Sequence, residues 1–450
     1  MFKPLHTLVS SGRNAEHPVC HDGVRFVHWH EFERRIQARA CALMDRHESR
    51  WLITSNDPYE FSISLLGLLH AGKQVVIPPN SQPGTVSRML SAFDATVDGP
   101  TWTESESPTA KLAPIDPHTA IINIYTSGST GEPKQIRKTL AQFETEVGVL
   151  ESLWGHALGH ATVVASAPHH HFYGLLFRLF WPLSAGRPFD SVSCVDPDTL
   201  AERLLLLSDT ALVSSPALLS RLPELVALTS LQPAPRMIFS SGGPLPACAA
   251  AEFHRQLGWA PTEVFGSTET GGIAWRRQEG SDSWTTMPGI QINSAFDGAL
   301  LLRSPYLLDA SPWRMDDAVD LLPDGRFTLR GRLDRVVKIE EKRLSLPDME
   351  ARLCAHPWVA AAAAVALTEG RQIIGAVVVL NAVGLQALAN EDRRKVSLIL
   401  RQHLADYFEP VVLPRRWRFP KQLPINERGK VTPALLTELF ANIKNEPFSP

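Results

Sequence analysis

The ten residues Tyr125-Thr126-Ser127-Gly128-Ser129-Thr130-Gly131-Glu132-Pro133-Lys134 constrain this chain more than any other stretch. An apolar run over 121–125 reads as a strand entering the loop, and an amphipathic pattern over 136–153 reads as a helix leaving it. Glycines let the backbone approach an anion closely, and clustered hydroxyls with main-chain N–H groups hold phosphate oxygens. A P-loop ends in Gly-Lys-Ser/Thr, a pattern that Glu132-Pro133 excludes here. On composition alone, a surface loop of small residues accounts for the segment equally well.

Around this loop the pattern alternates. Stretches 30–44 and 60–70 read as helices, whereas 51–54, 74–77, 162–166, 211–214, 237–240 and 263–265 read as short strands, an α/β texture with largely parallel sheets. After Trp275 the texture becomes strand-rich with Gly, Pro and Asp turns through 283–329. A charged stretch, 332–343, then precedes a helix and an apolar strand pair, and a final helix follows the Pro- and Gly-punctuated segment from 414. The expected boundary lies near Asp334, dividing a large domain (1–333) from a smaller C-terminal one (334–450).

With 450 residues and 44% hydrophobic composition, the chain can bury large cores without covalent staples. Its net charge of −3 and lack of a basic stripe argue against nucleic acid as a partner. Five cysteines (Cys20, Cys41, Cys194, Cys248, Cys354) lie far apart with no CxxC pair, the usage of a reducing compartment. Residues 1–13 lack the apolar core of a secretory signal, and the apolar runs 359–367 and 373–380 are too short to span a bilayer. A cytoplasmic location is expected.

Five further segments bear groups suited to chemistry. Pro168-His169-His170-His171-Phe172-Tyr173-Gly174 suggests a metal site, but three successive strand residues alternate faces and cannot all bind one ion. Ser241-Gly242-Gly243-Pro244-Leu245 reads, taken alone, as a turn after a strand. Val264-Phe265-Gly266-Ser267-Thr268-Glu269-Thr270-Gly271-Gly272 sets a hydroxyl beside a carboxylate, a hard oxygen ligand for Mg²⁺, at a strand end. Met315-Asp316-Asp317 lies shortly before Pro323-Asp324-Gly325 and Gly331-Arg332-Leu333-Asp334-Arg335. Leu423-Pro424-Ile425-Asn426-Glu427-Arg428-Gly429-Lys430 ends on a lysine that in isolation would be an ordinary surface cation.

Together with the loop, these segments resemble, in order, the adenylate-forming superfamily of acyl- and aryl-CoA ligases, peptide-synthetase adenylation domains and luciferases. The resemblance implies that Thr126, Ser127, Gly128, Ser129, Thr130, Gly131 and Lys134 bind the phosphates of ATP. Ser241, Gly242, Gly243 and Pro244 would run along the adenine, with Phe265 and Gly266 beside it, Asp317 at the ribose, and Arg332 at the ribose or phosphate. His171, Thr268, Glu269 and Lys430 would serve catalysis, Glu269 as the Mg²⁺ ligand and Lys430 as the family's mobile lysine. Asp334 matches the hinge about which a small, mobile α+β C-terminal domain turns to admit a phosphopantetheine thiol.

Two departures stand out. Met315-Asp316 replaces the family's usual Thr-Gly before Asp317, and Glu341 occupies a glycine position that borders the pantetheine tunnel in relatives. A side chain and a negative charge at 341 would reshape that tunnel or disfavour anionic CoA, so the arm of an acyl carrier protein is as good an acceptor as CoA. Phe172, Tyr173, Phe177, Phe265, Gly272, Ile273 and Trp275 suggest an apolar, partly aromatic acid pocket, though the same residues would serve as core. The overall look is similar to compact ligases of aryl-polyene and xanthomonadin-type pathways, which implies an aromatic acid such as a hydroxybenzoate. A medium-chain acyl-CoA ligase and a non-catalytic adenylate-binding homologue are the alternatives.

Overall fold

The computed structural model describes residues 1–97, 111–127, 133–309, 311–339, 342–369, 371–426 and 430–441. At 127, 334, 336, 338, 342, 343, 368, 369 and 371 only the backbone is described. By contact the chain forms two compact units. The first is Met1–Gln291 with Arg303–Pro312, and the second is Ile292–Leu302 with Trp313–Pro450. The strand-rich stretch that the sequence attaches to the large domain thus packs mostly with the second unit.

Two sheets organise the first unit. In the five-stranded sheet, Ala95–Val97, Arg50–Ile53, Gln74–Ile77 and β1 (Ile121–Ser127) run parallel, and β2 (Pro133–Thr139) pairs antiparallel with β1. Here the sequence reading needs correction: residues 136–139 belong to a strand, and the helix α1 spans Leu140–Leu158. The helix starts there because Thr139 and Gln142 form a reciprocal capping box that satisfies two orphan N–H groups. The glycine- and hydroxyl-rich loop therefore joins the strands of a hairpin, not a strand and a helix.

The nine-stranded sheet contains the parallel run β3 (Thr162–Ala165), β4 (Thr210–Ser214), β5 (Ile238–Ser240) and β6 (Thr262–Ser267), followed by the antiparallel β7 (Gly271–Arg276). Every residue of β3, β4 and β5 is buried, as strands covered on both faces require. One layer of that cover is apolar: Leu200, Leu204 and Phe253 from flanking helices pack on Val164, Leu212 and Ile238. Each such side chain contributes roughly 1.5–3 kcal/mol by leaving water. Beneath this layer, Arg203 pairs with the fully buried Asp190 at 2.8 Å and reaches His21 Nδ1 at 2.7 Å. Because the four strands are parallel, the turns at their carboxyl ends gather along one edge, where α/β sheets bind ligands.

The histidine run is a second correction. Residues 169–171 form a turn rather than a strand, and a short helix (Phe172–Gly174) and a π-helical turn (Leu175–Phe180) follow. Arg178, fully buried in that turn, donates to the carbonyls of Asp190, Ser191 and Val192.

In the second unit, Trp313–Leu321 (β8) and Phe327–Arg332 (β9) lie in a four-stranded antiparallel sheet. A three-stranded sheet of Val359–Glu369, Arg371–Leu380 and Arg416–Arg418 packs on the helices Leu346–Cys354 and Arg393–Ala405 through Met349, Leu353, Ile374, Val378 and Leu400. Arg335 fastens the 3₁₀ turn Leu333–Arg335 to this unit by a bidentate pair with Glu350, 2.6 and 2.9 Å. Among the described residues, no helix is long and apolar enough to cross a membrane.

Candidate active site

Register places the predicted phosphate groups on the hairpin. Thr126 lies opposite Lys134 and Ser127 opposite Pro133, while Gly128, Ser129, Thr130 and Gly131 lie outside the described residues. Strand alternation sends Lys134 to the face opposite Tyr125 and Gln135. On that other face, Tyr125, Gln135, Arg50 and Arg88 line a polar cavity of about 360 Å³, which is separate from the candidate site.

The turn after β6 meets the hairpin. Lys134 Nζ donates to Glu269 Oε1 at 2.7 Å, joining the two sheets of the unit through residues 135 positions apart. Burial alone would raise the Glu269 carboxyl. Hydrogen bonds from Lys134, from a main-chain N–H and from Ser267 hold it below the ordinary carboxylate range, so it is ionised at neutral pH. Thr270, fully buried, bonds Ser267 and closes the turn. That leaves Thr268, half-buried, with no side-chain hydrogen bond among the described residues. Gly266 is obligatory: a Cβ there would sit 2.1 Å from the Gly271 carbonyl oxygen across the β6–β7 pair.

The neighbouring strand end supplies the 241–244 turn. Ser241 Oγ donates to the Val264 carbonyl at 2.8 Å, and Leu245 N donates to Glu263 at 3.0 Å, tying this turn to β6. Gly242, Gly243 and Pro244 are exposed. Phe265 is half-buried and tilts against Trp284, with ring centres 5.5 Å apart.

His171 caps the short helix at the end of the β3 turn and rests edge-on against His170. His169 is the core histidine of the three: it is buried, bonded to the Ser55 carbonyl at 3.0 Å, and driven neutral by desolvation. The predicted pocket residues divide. Ile273 is fully enclosed, and Gly272 faces the Met287 thioether, so both sit in packing. Phe172 is also buried, against Phe143. Tyr173 is half-buried and lies 4.8 Å from the Phe177 ring. Its hydroxyl is enclosed without a hydrogen-bond partner among the described residues.

Two residues missed by the sequence reading lie beneath the turn. Lys138 of β2, only 2% exposed, donates to the Glu269 carbonyl at 2.9 Å and to the Tyr306 carbonyl at 3.1 Å, with its ammonium 5.4 Å from the Phe172 ring centre. Glu146 of α1, equally buried, accepts the Gly272 N–H at 2.7 Å. The available signal was a charge on an apolar stripe: Glu146 lies among Phe143, Val147 and Leu150 on the buried side of α1.

In the second unit, Asp317 on β8 is buried and faces Arg332 on β9, with 3.8 Å between the charges; Arg332 also lies 3.6 Å from Asp316. Lys430 is exposed, and its main chain exchanges two bonds with Asn426, at 2.9 and 3.0 Å. The Asp334 side chain and Glu341 lie outside the described residues.

Comparison with known proteins follows the same segments. Residues 93–293 match the AMP-binding enzyme family, and residues 348–430 match the AMP-binding enzyme C-terminal domain. A 4-coumarate--CoA ligase of Rhodobacter capsulatus is 30% identical over 310 residues, covering 68% of this chain and 73% of that one. The chain belongs to the adenylate-forming family of AMP-binding enzymes. As a member it is an AMP-forming ligase that joins an organic acid to a thiol. An L-proline--[L-prolyl-carrier protein] ligase of Streptomyces coelicolor is 26% identical over 408 residues, 77% of this chain and 73% of that one. Among solved structures, a benzoate CoA ligase from Burkholderia xenovorans superposes with a TM-score of 0.77 at 21% identity, over 96% of this chain and 99% of that one. ATP-bound MatB from Rhodopseudomonas palustris gives 0.79 at 18% identity, over 99% and 100%. The fold is therefore the family's mixed α/β architecture, with a large N-terminal part and a smaller C-terminal part.

Proposed function

We propose that this enzyme converts an aromatic carboxylic acid, of the hydroxybenzoate class, to its acyl-adenylate with release of pyrophosphate, and then transfers the acyl group to a phosphopantetheine thiol. The observation that carries this reading is the Lys134–Glu269 pair, which brings the glycine- and hydroxyl-rich hairpin to the Thr-Glu turn of the other sheet. A carboxylate resists nucleophiles because its charge repels them and oxide leaves badly; esterification to AMP removes both obstacles. Catalysis is then chiefly positioning and charge neutralisation.

The residues divide that work. Thr126, Lys134 and the 127–131 loop hold the phosphates, Thr268 donates to the α-phosphate, and Ser241–Pro244 with Phe265 line the base. Asp317 accepts from the ribose hydroxyls, with Arg332 beside it. His171 orients the acid carboxylate, and Lys430 steadies its charge as the P–O bond forms. Glu269 suits Mg²⁺: it is ionised and presents hard oxygens, while no group of three His, Cys, Asp or Glu gathers among the described residues. One carboxylate plus the nucleotide's own phosphates is a usual donor set for that ion, which when bound would neutralise phosphate charge.

The aromatic preference is supported by the Tyr173–Phe177 ring pair. It is also supported by relatives named for 4-coumarate and anthranilate. Relatives named for CoA and for carrier proteins both occur, so either source of the thiol serves. A hydroxylamine-trapping screen of aromatic and aliphatic acids with ATP tests the first half-reaction, and intact mass of CoA and carrier protein tests the second. Aryl hydroxamates with pyrophosphate release are expected; ADP as product, or no hydroxamate from any acid, would sink the reading. Asp334 serves as the hinge in this scheme, so Asp334→Pro should spare acid-dependent ATP–pyrophosphate exchange while cutting overall turnover at least tenfold. Unaltered turnover would remove that role.

A further inference from the structure

Three segments of the candidate site come from distant parts of the chain: the hairpin, the His171–Tyr173 turn and the 268–272 turn. One side chain touches all three. Lys138 leaves β2 on the same face as Lys134, places its ammonium by the Phe172 ring, and donates to the Glu269 carbonyl. Lys134 grips Glu269 from outside by the carboxylate, and Lys138 from beneath by the main chain. Three residues later the Gly272 N–H is taken by Glu146. Gly271 between them has φ +72°, and a Cβ there would sit 2.5 Å from Glu146 and 2.9 Å from the Tyr306 ring, so the turn is seated directly on these groups.

Such a seat is expensive, because a buried ammonium and a buried carboxylate both give up water. Stability alone does not ask for them. Gln142, one helical turn before Glu146, already satisfies the Tyr306 carbonyl at 2.7 Å with a neutral amide. We propose that Lys138 and Glu146 are positioning residues, a buried two-point clamp that fixes the Thr268–Gly272 turn and thereby sets where the Glu269 carboxylate and the Thr268 hydroxyl stand. The clamp's effect on turnover rests on the adenylation reading above; its effect on the turn does not.

The test compares Lys138→Met, Glu146→Gln and the double variant Lys138→Met/Glu146→Leu. The double variant removes both buried charges together, a replacement that cores tolerate. Misplacing the turn by about an ångström lowers kcat for ATP–pyrophosphate exchange about 100-fold in both Met-containing variants, with the KM for the acid within about twofold. The double variant keeps its wild-type melting temperature but not its activity. Glu146→Gln, which retains an oxygen for Gly272, stays within about fivefold of wild type. Wild-type exchange by the stable double variant would reduce the pair to packing and overturn the proposal. Because Gln keeps the bond from Gly272, a loss in Glu146→Gln as deep as in the double variant would show that this bond is not what Glu146 supplies, and would overturn its part in the clamp. If the wild-type enzyme exchanges pyrophosphate with no acid, the adenylation reading fails instead, and hydrogen–deuterium exchange decides the clamp alone. The peptide spanning 266–273 should then exchange at least about tenfold faster in the double variant while the other strands stay protected, and unchanged protection there would overturn it.

Discussion

Two sets of charged groups, one in each unit, are held differently. In the first, Lys138, Glu146, Asp190 and Arg203 are almost fully buried and closely bonded. In the second, Lys430 is exposed, and the half-exposed Arg332 lies 3.6 Å from Asp316 and 3.8 Å from Asp317. A buried charge that loses its partner costs several kcal/mol, whereas an exposed one costs little. The first unit thus holds these charges only while it is folded, whereas little of the second unit's folding depends on the exposed Lys430 ammonium.

Substitutions can break or sharpen this contrast. Lys430→Ala should lower acid-dependent ATP–pyrophosphate exchange about a thousandfold while sparing thiolysis of a supplied acyl-adenylate and leaving the melting temperature in place. Equal loss of both half-reactions would deny the lysine its role, and a large drop in melting temperature would erase the contrast. On the other side, Asp190→Ala strands the buried Arg203 and should cost about 3 kcal/mol in chemical denaturation, with kcat of the surviving folded enzyme little changed. Asp317→Ala should raise the KM for ATP about tenfold through lost ribose bonds, with little change in stability; an unaltered KM for ATP would take Asp317 out of the nucleotide site.

The smallest expected effect is a pH slope. Burial lifts the Glu146 carboxyl to about 7, against the bond from Gly272 and the charge of Lys138. Its folded-state value lies above the unfolded one, so the folded chain keeps a proton that the unfolded chain has lost. The associated stability is fully present below about pH 4.5 and disappears as pH rises through about 7. Between pH 6 and 7, wild type should lose about 1 kcal/mol relative to Glu146→Gln. Parallel stability curves for the two proteins would show that Glu146 does not titrate there.

The parallel strands were legible because their sequences are apolar at the centre and bounded by turns; β3 to β6 begin and end within two residues of the stretches read as strands. Residues 136–139 were not, since Ile136 and Leu140 match helical spacing as well as strand alternation. The deciding signal, Thr139 three residues before Gln142, lies in the capping chemistry and not in the periodicity. Within the candidate site, motif spacing picked out Lys134, Thr268 and Glu269, but not that Lys134 reaches Glu269, a contact set by how two sheets meet. Lys138 escaped notice for a related reason. In sequence it is one cation beside Arg137, and only the fold separates the exposed arginine side of β2 from the buried lysine side.

Gly266 limits how this enzyme can be retuned. Any side chain there would collide with the Gly271 carbonyl and wedge β6 from β7, so the wall carrying Thr268 and Glu269 has almost no room for mutational drift. In the proposed scheme, changes of acid preference come instead from the wall that begins at His171, where the half-buried Tyr173 is an ordinary side chain able to shrink, grow or gain polarity. On that reading, a mutant library confined to 173 would sample new acids with the core left in place, whereas one spread over 266 and 271 would spend most of its members on chains that do not fold.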